Sequence, residues 1–568
     1  MRTQGSLAPL RRALLAGSAA AAAAGLAPYG DLIELARSGQ AADDSYGQAA
    51  DGGGDVDGDG FDDHLVTAIF NDDAASAAGK AYLYFGRAPA ALEADLALLG
   101  EAADDQFGIS AAIGGDFNAD GFDDIAVGAR FSDRAGKDTG SVFLFFGGPR
   151  PGLPGGMDAL PDRVMTGERQ DDWFGTSVDF AGDFNGDGVV DLVVGAPFND
   201  DTGSAAGKGY VYFGGPAADA LPDVFLFGDP QDDGQFGWSV SRAGDVNGDG
   251  YDDIIAGARL FGSGLSRAIG RAYVFLGGAS PDGVPDVVMT GEARDDWFGN
   301  TVSEAGDFNA DGFDDVAVAG IFWDDFSDPL APRSAAGKVY LFHGGPLGVM
   351  DGQADWSAAG QGADDQFGFA LAHAGDVDGD GASDLLVGAP FHDHDGDRAA
   401  GRVDLFLGRA GGAVPPSTAA FLRTGEAADD QLGSSVAGAG DGNGDGLSSF
   451  LAGARFSDPG GSGSGSATLS LLDCLDLDVA GSGIVWGGCA AHALIDLRRG
   501  DPSGLAAGDP GACLAASPAV SPVDDPQTPA PGAAFTYLAA VRNQADPNVS
   551  TSGFGSGGRA RPPSPPCP

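Results

Sequence analysis

The 568-residue chain is poor in several residue types, and each shortage narrows what it does. It has 30 basic residues against 83 acidic ones, a formal net charge of −53. A nucleic-acid binder needs a basic face to displace counterions from phosphate, so that class is excluded, and docking on an anionic membrane falls for the same reason. Only four bases are lysines: Lys80, Lys137, Lys208 and Lys338. Cysteine is confined to Cys474, Cys489, Cys513 and Cys567. Beyond the N-terminal region no segment approaches the ~18 uninterrupted apolar residues of a membrane span. Among the six histidines only His392-Asp393-His394-Asp395 clusters, and it reads as a solvated loop. No Ser/His/Asp or Cys/His constellation stands out, and the expectation is a protein that is not an enzyme.

What the chain does have is 97 Gly, 35 Phe and 43% hydrophobic residues, enough apolar content to oppose disorder over most of its length. Residues 1–27 read as a signal peptide: Arg2, Arg11 and Arg12 precede an Ala- and Leu-rich stretch from Ala13 to Ala27. Sec and twin-arginine export both fit, and either takes the mature protein to the surface or the medium.

A repeat fills residues 28–473. The acidic run that begins at Asp55 recurs at Asp116, Asp183, Asp245, Asp307, Asp376 and Asp441, at intervals of 61, 67, 62, 62, 69 and 65 residues. Each unit opens on an aromatic-Gly pair (Tyr46-Gly47, Phe107-Gly108, Phe174-Gly175, Phe236-Gly237, Phe298-Gly299, Phe367-Gly368), with Leu432-Gly433 in the seventh. An alternating stretch, the acidic loop, a β-branched run and two further short apolar runs follow. Four strands per unit is the pattern of a propeller blade, so the fold expected is all-β, a seven-bladed β-propeller of four-stranded blades. The seventh unit stops after its third strand, while Leu32–Ala36 resembles a fourth. An N-terminal strand therefore completes the last blade and closes the ring.

Phe-Gly, an acidic loop and then Gly-Ala-Pro (Gly195–Pro197, Gly388–Pro390) resemble the FG-GAP repeat of integrin α-chain heads and related bacterial surface proteins. The triplet becomes Gly-Ala-Arg at Arg130, Arg259 and Arg455, and degenerates at Thr67–Ile69 and Ala319–Ile321. The resemblance covers roughly Leu32 to Asp473 and implies that partners dock on the face opposite the acidic loops.

Calcium wants six to eight oxygens in a flexible cage, and these loops place oxygens at positions 1, 3, 5 and 9 with a main-chain carbonyl at 7. The expected ligands are Asp55, Asp57, Asp59, Phe61 and Asp63 in the first loop, and Asp116, Asn118, Asp120, Phe122 and Asp124 in the second. The third supplies Asp183, Asn185, Asp187, Val189 and Asp191, and the fourth Asp245, Asn247, Asp249, Tyr251 and Asp253. The fifth supplies Asp307, Asn309, Asp311, Phe313 and Asp315, and the sixth Asp376, Asp378, Asp380, Ala382 and Asp384. In the seventh, Asp441, Asn443 and Asp445 lack a carboxylate at position 9, where Ser449 stands, so about six Ca2+ sites are expected with the seventh weak or empty. Glycine at position 6 permits the sharp turn in every copy.

A second acidic set lies before each aromatic-Gly: Asp43-Asp44, Asp104-Asp105, Asp171-Asp172, Asp232-Asp233, Asp295-Asp296, Asp364-Asp365 and Asp429-Asp430. The four lysines, with Arg271 and Arg402, enter third strands within reach of that face, which suggests ion pairs that tie blades together. Residues 474–568 form a separate region, β-rich or partly disordered, whose four cysteines allow two disulfides in three pairings. Leu494–Asp501, Cys513 and Phe535–Arg542 resemble the end of a fibronectin type III-like module, and Arg499-Gly500-Asp501 within it reads as coincidence. Together these readings point to an exported calcium-binding propeller that serves adhesion to a protein or glycan. A structural scaffold and a secreted polysaccharide hydrolase stand as alternatives, the latter needing singular residues that break the sevenfold pattern.

Overall fold

Short runs of β-branched and aromatic residues between glycine turns form strands and nothing else; the described residues contain no helix. The computed structural model describes residues 32–472 except 88–90, 92, 154, 263–266, 327–332, 347–349, 410–416, 445 and 460–461, and beyond these the backbone of seven strands between Leu475 and Ser552. The export signal, Cys474, Cys489, Cys567 and Asp501 lie outside the described residues, as do the side chains of Cys513, Arg499 and all else after residue 470.

The repeat folds as seven four-stranded antiparallel sheets. The first blade pairs Tyr46–Gly54, Asp63–Ala68, Lys80–Tyr84 and Leu96–Leu99 in sequence order, and the next five repeat the pattern. In the seventh, Leu432–Gly440, Ser449–Ala454 and Ser466–Leu472 are followed by Leu32–Ser38 as outermost strand. The ring thus closes with the chain's first strand in its last blade, as the truncated seventh unit requires.

In every blade all six residues of the second strand are buried. Apolar clusters bridge successive blades: Ala112, Val142, Leu144 and Met165 of the second pack with Phe174, Val178, Leu192 and Tyr210 of the third. The aromatic of each aromatic-Gly pair is the keystone. Phe174 meets Tyr210 edge-to-face at 5.2 Å, and Phe298 meets Tyr340 at 5.3 Å. It also bridges to the glycine before the preceding blade's third strand, as Phe107 does to Gly79. A Cβ on Gly79 would sit 2.0 Å from the Phe107 carbonyl oxygen, so only glycine lets the blades approach.

The C-terminal strands form two antiparallel sheets, one of three strands and one of four. The two segments singled out in the tail are strands Ala493–Gly500 and Thr536–Asn543, and they pair with each other.

Candidate metal centres and the two faces of the ring

Each acidic loop joins the innermost strand of a blade to its second, and one hydrogen-bond pattern shapes all six complete copies. In the first, Asp55 accepts from the N–H groups of Asp59 (3.0 Å) and Gly60 (2.9 Å), and Asp59 accepts from Phe61 at 3.1 Å. Asp116, Asp183, Asp245, Asp307 and Asp376 repeat the first two bonds. The chain turns at the glycine of position 6, whose φ is +85° in Gly60 and +95° in Gly121 with open space around the missing Cβ.

Position 9 opens the buried second strand, and its carboxylate is a hub. Asp63 accepts from Val56 of its loop (2.8 Å) and from Gly86 after the third strand (2.7 Å). Asp124, Asp191, Asp253, Asp315 and Asp384 accept likewise from Gly147, Gly214, Gly277, Gly344 and Gly408. Burial first, then neighbouring loop acids, push Asp63, Asp124, Asp253, Asp315 and Asp384 up to about 8 and Asp191 to about 7.

These loops suit a hard cation. Asp55, Asp57 and Asp63 bring carboxylate oxygens within 4.8 Å of one another, as do Asp376, Asp378 and Asp384. In three of the loops with Asn at position 3, the side-chain oxygens of Asn118, Asn247 and Asn309 are buried without a hydrogen-bond partner, while that of Asn185 accepts from Asp187 N–H at 2.9 Å. An orphaned buried oxygen beside two or three carboxylates is what a cage short of its ion presents. The first loop differs in one respect: Arg150, from the second blade, places its guanidinium on Asp57 and Asp59.

The opposite face is organised differently from expectation. The second Asp of each pair is structural: Asp44, Asp172, Asp296, Asp365 and Asp430 are buried and accept N–H groups of their own turn. In blade four the pair is displaced by one residue, since Asp233 has the left-handed φ of 61° that the first Asp has elsewhere, and Gly234 takes the buried place. The strand-three bases mostly pass over these pairs. Lys208 bonds Glu168 and Asp201, Lys338 bonds Glu292, and Arg271 bonds Asp229, so each is tied to the connection entering its own blade. Lys137 does not open a third strand, as the Gly-Lys step suggested: that strand begins at Ser141, and Lys137 lies in the loop before it, where it reaches Asp171.

Around the axis the innermost strands line a cavity of about 580 Å3. Here the sevenfold pattern breaks, with Asp51, Asp179, Arg242, Glu304 and His373 among glycines, alanines and serines. Asp51 accepts from Ile113 N–H at 2.8 Å, Asp179 from Ser241 Oγ at 2.8 Å, and Arg242 pairs with Asp252 at 3.2 Å. The repeat register hid these residues because Arg242, Glu304 and His373 each occur once, and the Asp of Asp51 and Asp179 recurs in only two of the seven blades.

The FG-GAP repeat family model matches residues 107–145, 174–213, 236–275 and 367–406, which are blades two, three, four and six. The ring is an integrin α-like FG-GAP propeller. Similar proteins are integrin alpha-5 of Xenopus laevis (34% identical over 238 residues, 40% of this chain and 21% of that one) and integrin alpha-V of Gallus gallus (32% over 243 residues, 41% and 21%). Integrin alpha pat-2 of Caenorhabditis briggsae is 33% identical over 225 residues, 37% of this chain and 17% of its own. The match thus spans about a fifth of the length of these relatives. The FG-GAP ring has no helix long and apolar enough to cross a membrane among the described residues.

Proposed function

We propose that the protein is an exported, calcium-loaded propeller that binds a protein or glycan partner at the cell surface or in the surrounding matrix, without catalysing a reaction. The observation that carries this reading is the set of six like loops on one face, with clustered carboxylates in the first and sixth and buried, unpartnered Asn oxygens in the second, fourth and fifth. The ligands are the six sets of five residues from Asp55 to Asp384 named above, with the seventh loop weak because Ser449 offers no carboxylate. Ions there would neutralise crowded acids and leave the opposite face for a partner. Residues 1–27 serve as the export signal, and residues 474–568 as an accessory fibronectin type III-like region. The likeness to integrin α heads supports the adhesive role by analogy of fold.

The test is binding of the full-length protein to arrays of extracellular-matrix proteins and glycans, in calcium and in chelator. Calcium-dependent capture by a defined ligand is expected. Turnover of polysaccharide with no stable capture would instead assign the axial cavity, with Asp51 and Asp179, to hydrolysis.

A further inference from the structure

The face opposite the acidic loops carries a feature of reversed charge. At the end of the second strand, where two blades have the proline of Gly-Ala-Pro, blades two, four and seven have Arg130, Arg259 and Arg455. Each guanidinium donates to the glutamine before its own aromatic-Gly or Leu-Gly pair: Arg130 to Gln106 (3.1 Å), Arg259 to Gln235 (2.9 Å) and Arg455 to Gln431 (2.9 Å). Each also lies on aromatic rings. Arg259 is 3.0 Å from the centroid of Trp238 and 4.9 Å from Trp297, while Arg130 is 4.8 Å from Phe131 and 5.4 Å from Trp173.

Among the described residues none of the three has a carboxylate partner, in a chain where acids outnumber bases 83 to 30. The bases that open third strands, Lys80, Lys208, Arg271, Lys338 and Arg402, are by contrast all ion-paired. Nε of Arg130 is buried with no hydrogen-bond partner among the described residues. Burial first, then repulsion from Arg130, push Arg259 down to about 9, which still leaves it a cation at neutral pH. Neutral amides and ring faces hold these cations in place without neutralising them, which is the arrangement of a donor set kept ready for an anion.

The surroundings decide which anion. The first Asp of each pair, now counted with Asp233, is exposed on the connections of this face in all seven blades. A polyanionic chain approaching the arginines would cross that acidic rim, and a uniformly basic surface would be repelled at the centre. The complement is basic at its edge and acidic at one point. We propose that this face receives a protein partner with a basic surface that presents an Asp or Glu carboxylate to one of these clamped guanidiniums, Arg130 beside Trp173 or Arg259 beside Trp238 and Trp297. The inference rests on the docking role above and specifies its partner.

The test is calorimetric titration of the calcium-loaded full-length protein with three probes: a lysine-rich heptapeptide carrying one central aspartate, its asparagine counterpart, and a glucuronate hexamer. The aspartate peptide is expected to bind at least about tenfold more tightly than the asparagine peptide. In Arg130→Gln/Arg259→Gln the two peptides should bind alike, at the strength of the asparagine peptide. If that variant does not fold, tryptophan emission of the native protein serves instead, shifting with the aspartate peptide and not with the other. Equal binding of the two peptides to the native protein, or an aspartate preference that survives the double substitution, overturns the proposal while leaving a docking role for the acidic rim. Preferential binding of the hexamer, lost in the variant, overturns it in favour of an acidic glycan. Binding of neither peptide by protein that melts cooperatively in calcium overturns both this proposal and the docking role of this face.

Discussion

The carboxylate of Asp62, in the first acidic loop, accepts the backbone N–H of Asp441, the first residue of the seventh loop, at 2.6 Å across 379 residues of chain. The same bond joins successive blades: Asp123 to Asp55 (2.8 Å), Asp252 to Asp183 (2.7 Å) and Asp314 to Asp245 (2.9 Å). Position 8 of the loop is thus a bolt between neighbours, and the seam of the ring is fastened by the same device. Asp62→Ala should cost about 1–3 kcal/mol, because it leaves a partly buried N–H unpaired, whereas Asp62→Asn keeps an acceptor and should cost less. Urea unfolding in calcium measures both.

A second lock at the seam has no counterpart among the described residues of the other blades. Arg37 of the closing strand is buried, bonds Nε2 of His64 at 2.6 Å and the carbonyl of Ala91, and lies 3.9 Å over the ring of Tyr84. Arg37→Ala should destabilise the ring by about 2–4 kcal/mol and make the N-terminal strand the first site of proteolysis. The double variant Arg37→Met/His64→Leu restores the apolar residue that other blades have at the position of His64, and should recover most of that loss in the same unfolding assay.

Calcium should raise the melting temperature strongly where magnesium does not, and each site at a hundredfold excess over its Kd adds about 2.7 kcal/mol. Calorimetry should count about six ions. Asp55→Ala should remove one, and Ser449→Asp, which supplies the missing carboxylate of the seventh loop, should add one.

The pH response of the metal-free ring follows from the position 9 carboxylates. Five are held at about 8 and Asp191 at about 7, above the unfolded carboxylate value, so the folded state binds more protons than the unfolded. Their contribution is fully present below about pH 4 and lost as pH rises through 8. Melts in chelator should therefore show the acidic loops favouring folding at pH 5 over pH 8. In calcium the order should reverse, because protons then compete with the ion.

Blade number, closure by the first strand and the position of the acidic turns were legible because a sevenfold register averages out the accidents of any one copy. Position 8 was not, since its partner lies in another blade and Asp62 looks like one more acid in an acidic run. The Asp pairs misled in the opposite direction: Asp44 and Asp172 are buried turn caps, while they read as part of an acidic rim. Arg37, His64, Arg242 and Glu304 had no signal, because a residue that occurs once in seven copies is indistinguishable from drift until its neighbours are known.

The closing strand also fixes an order of events during synthesis. Leu32–Ser38 leaves the ribosome before any blade and finds its partner, Ser466–Leu472, only after some 430 further residues have been made. Until then both blades flanking the seam present open edges, and Asp62 and Arg37 wait for contacts that do not yet exist. A chain interrupted within the last blade would be left as an open arc, so synthesis of Ser466–Leu472, and of no earlier blade, is the event that lets the ring close.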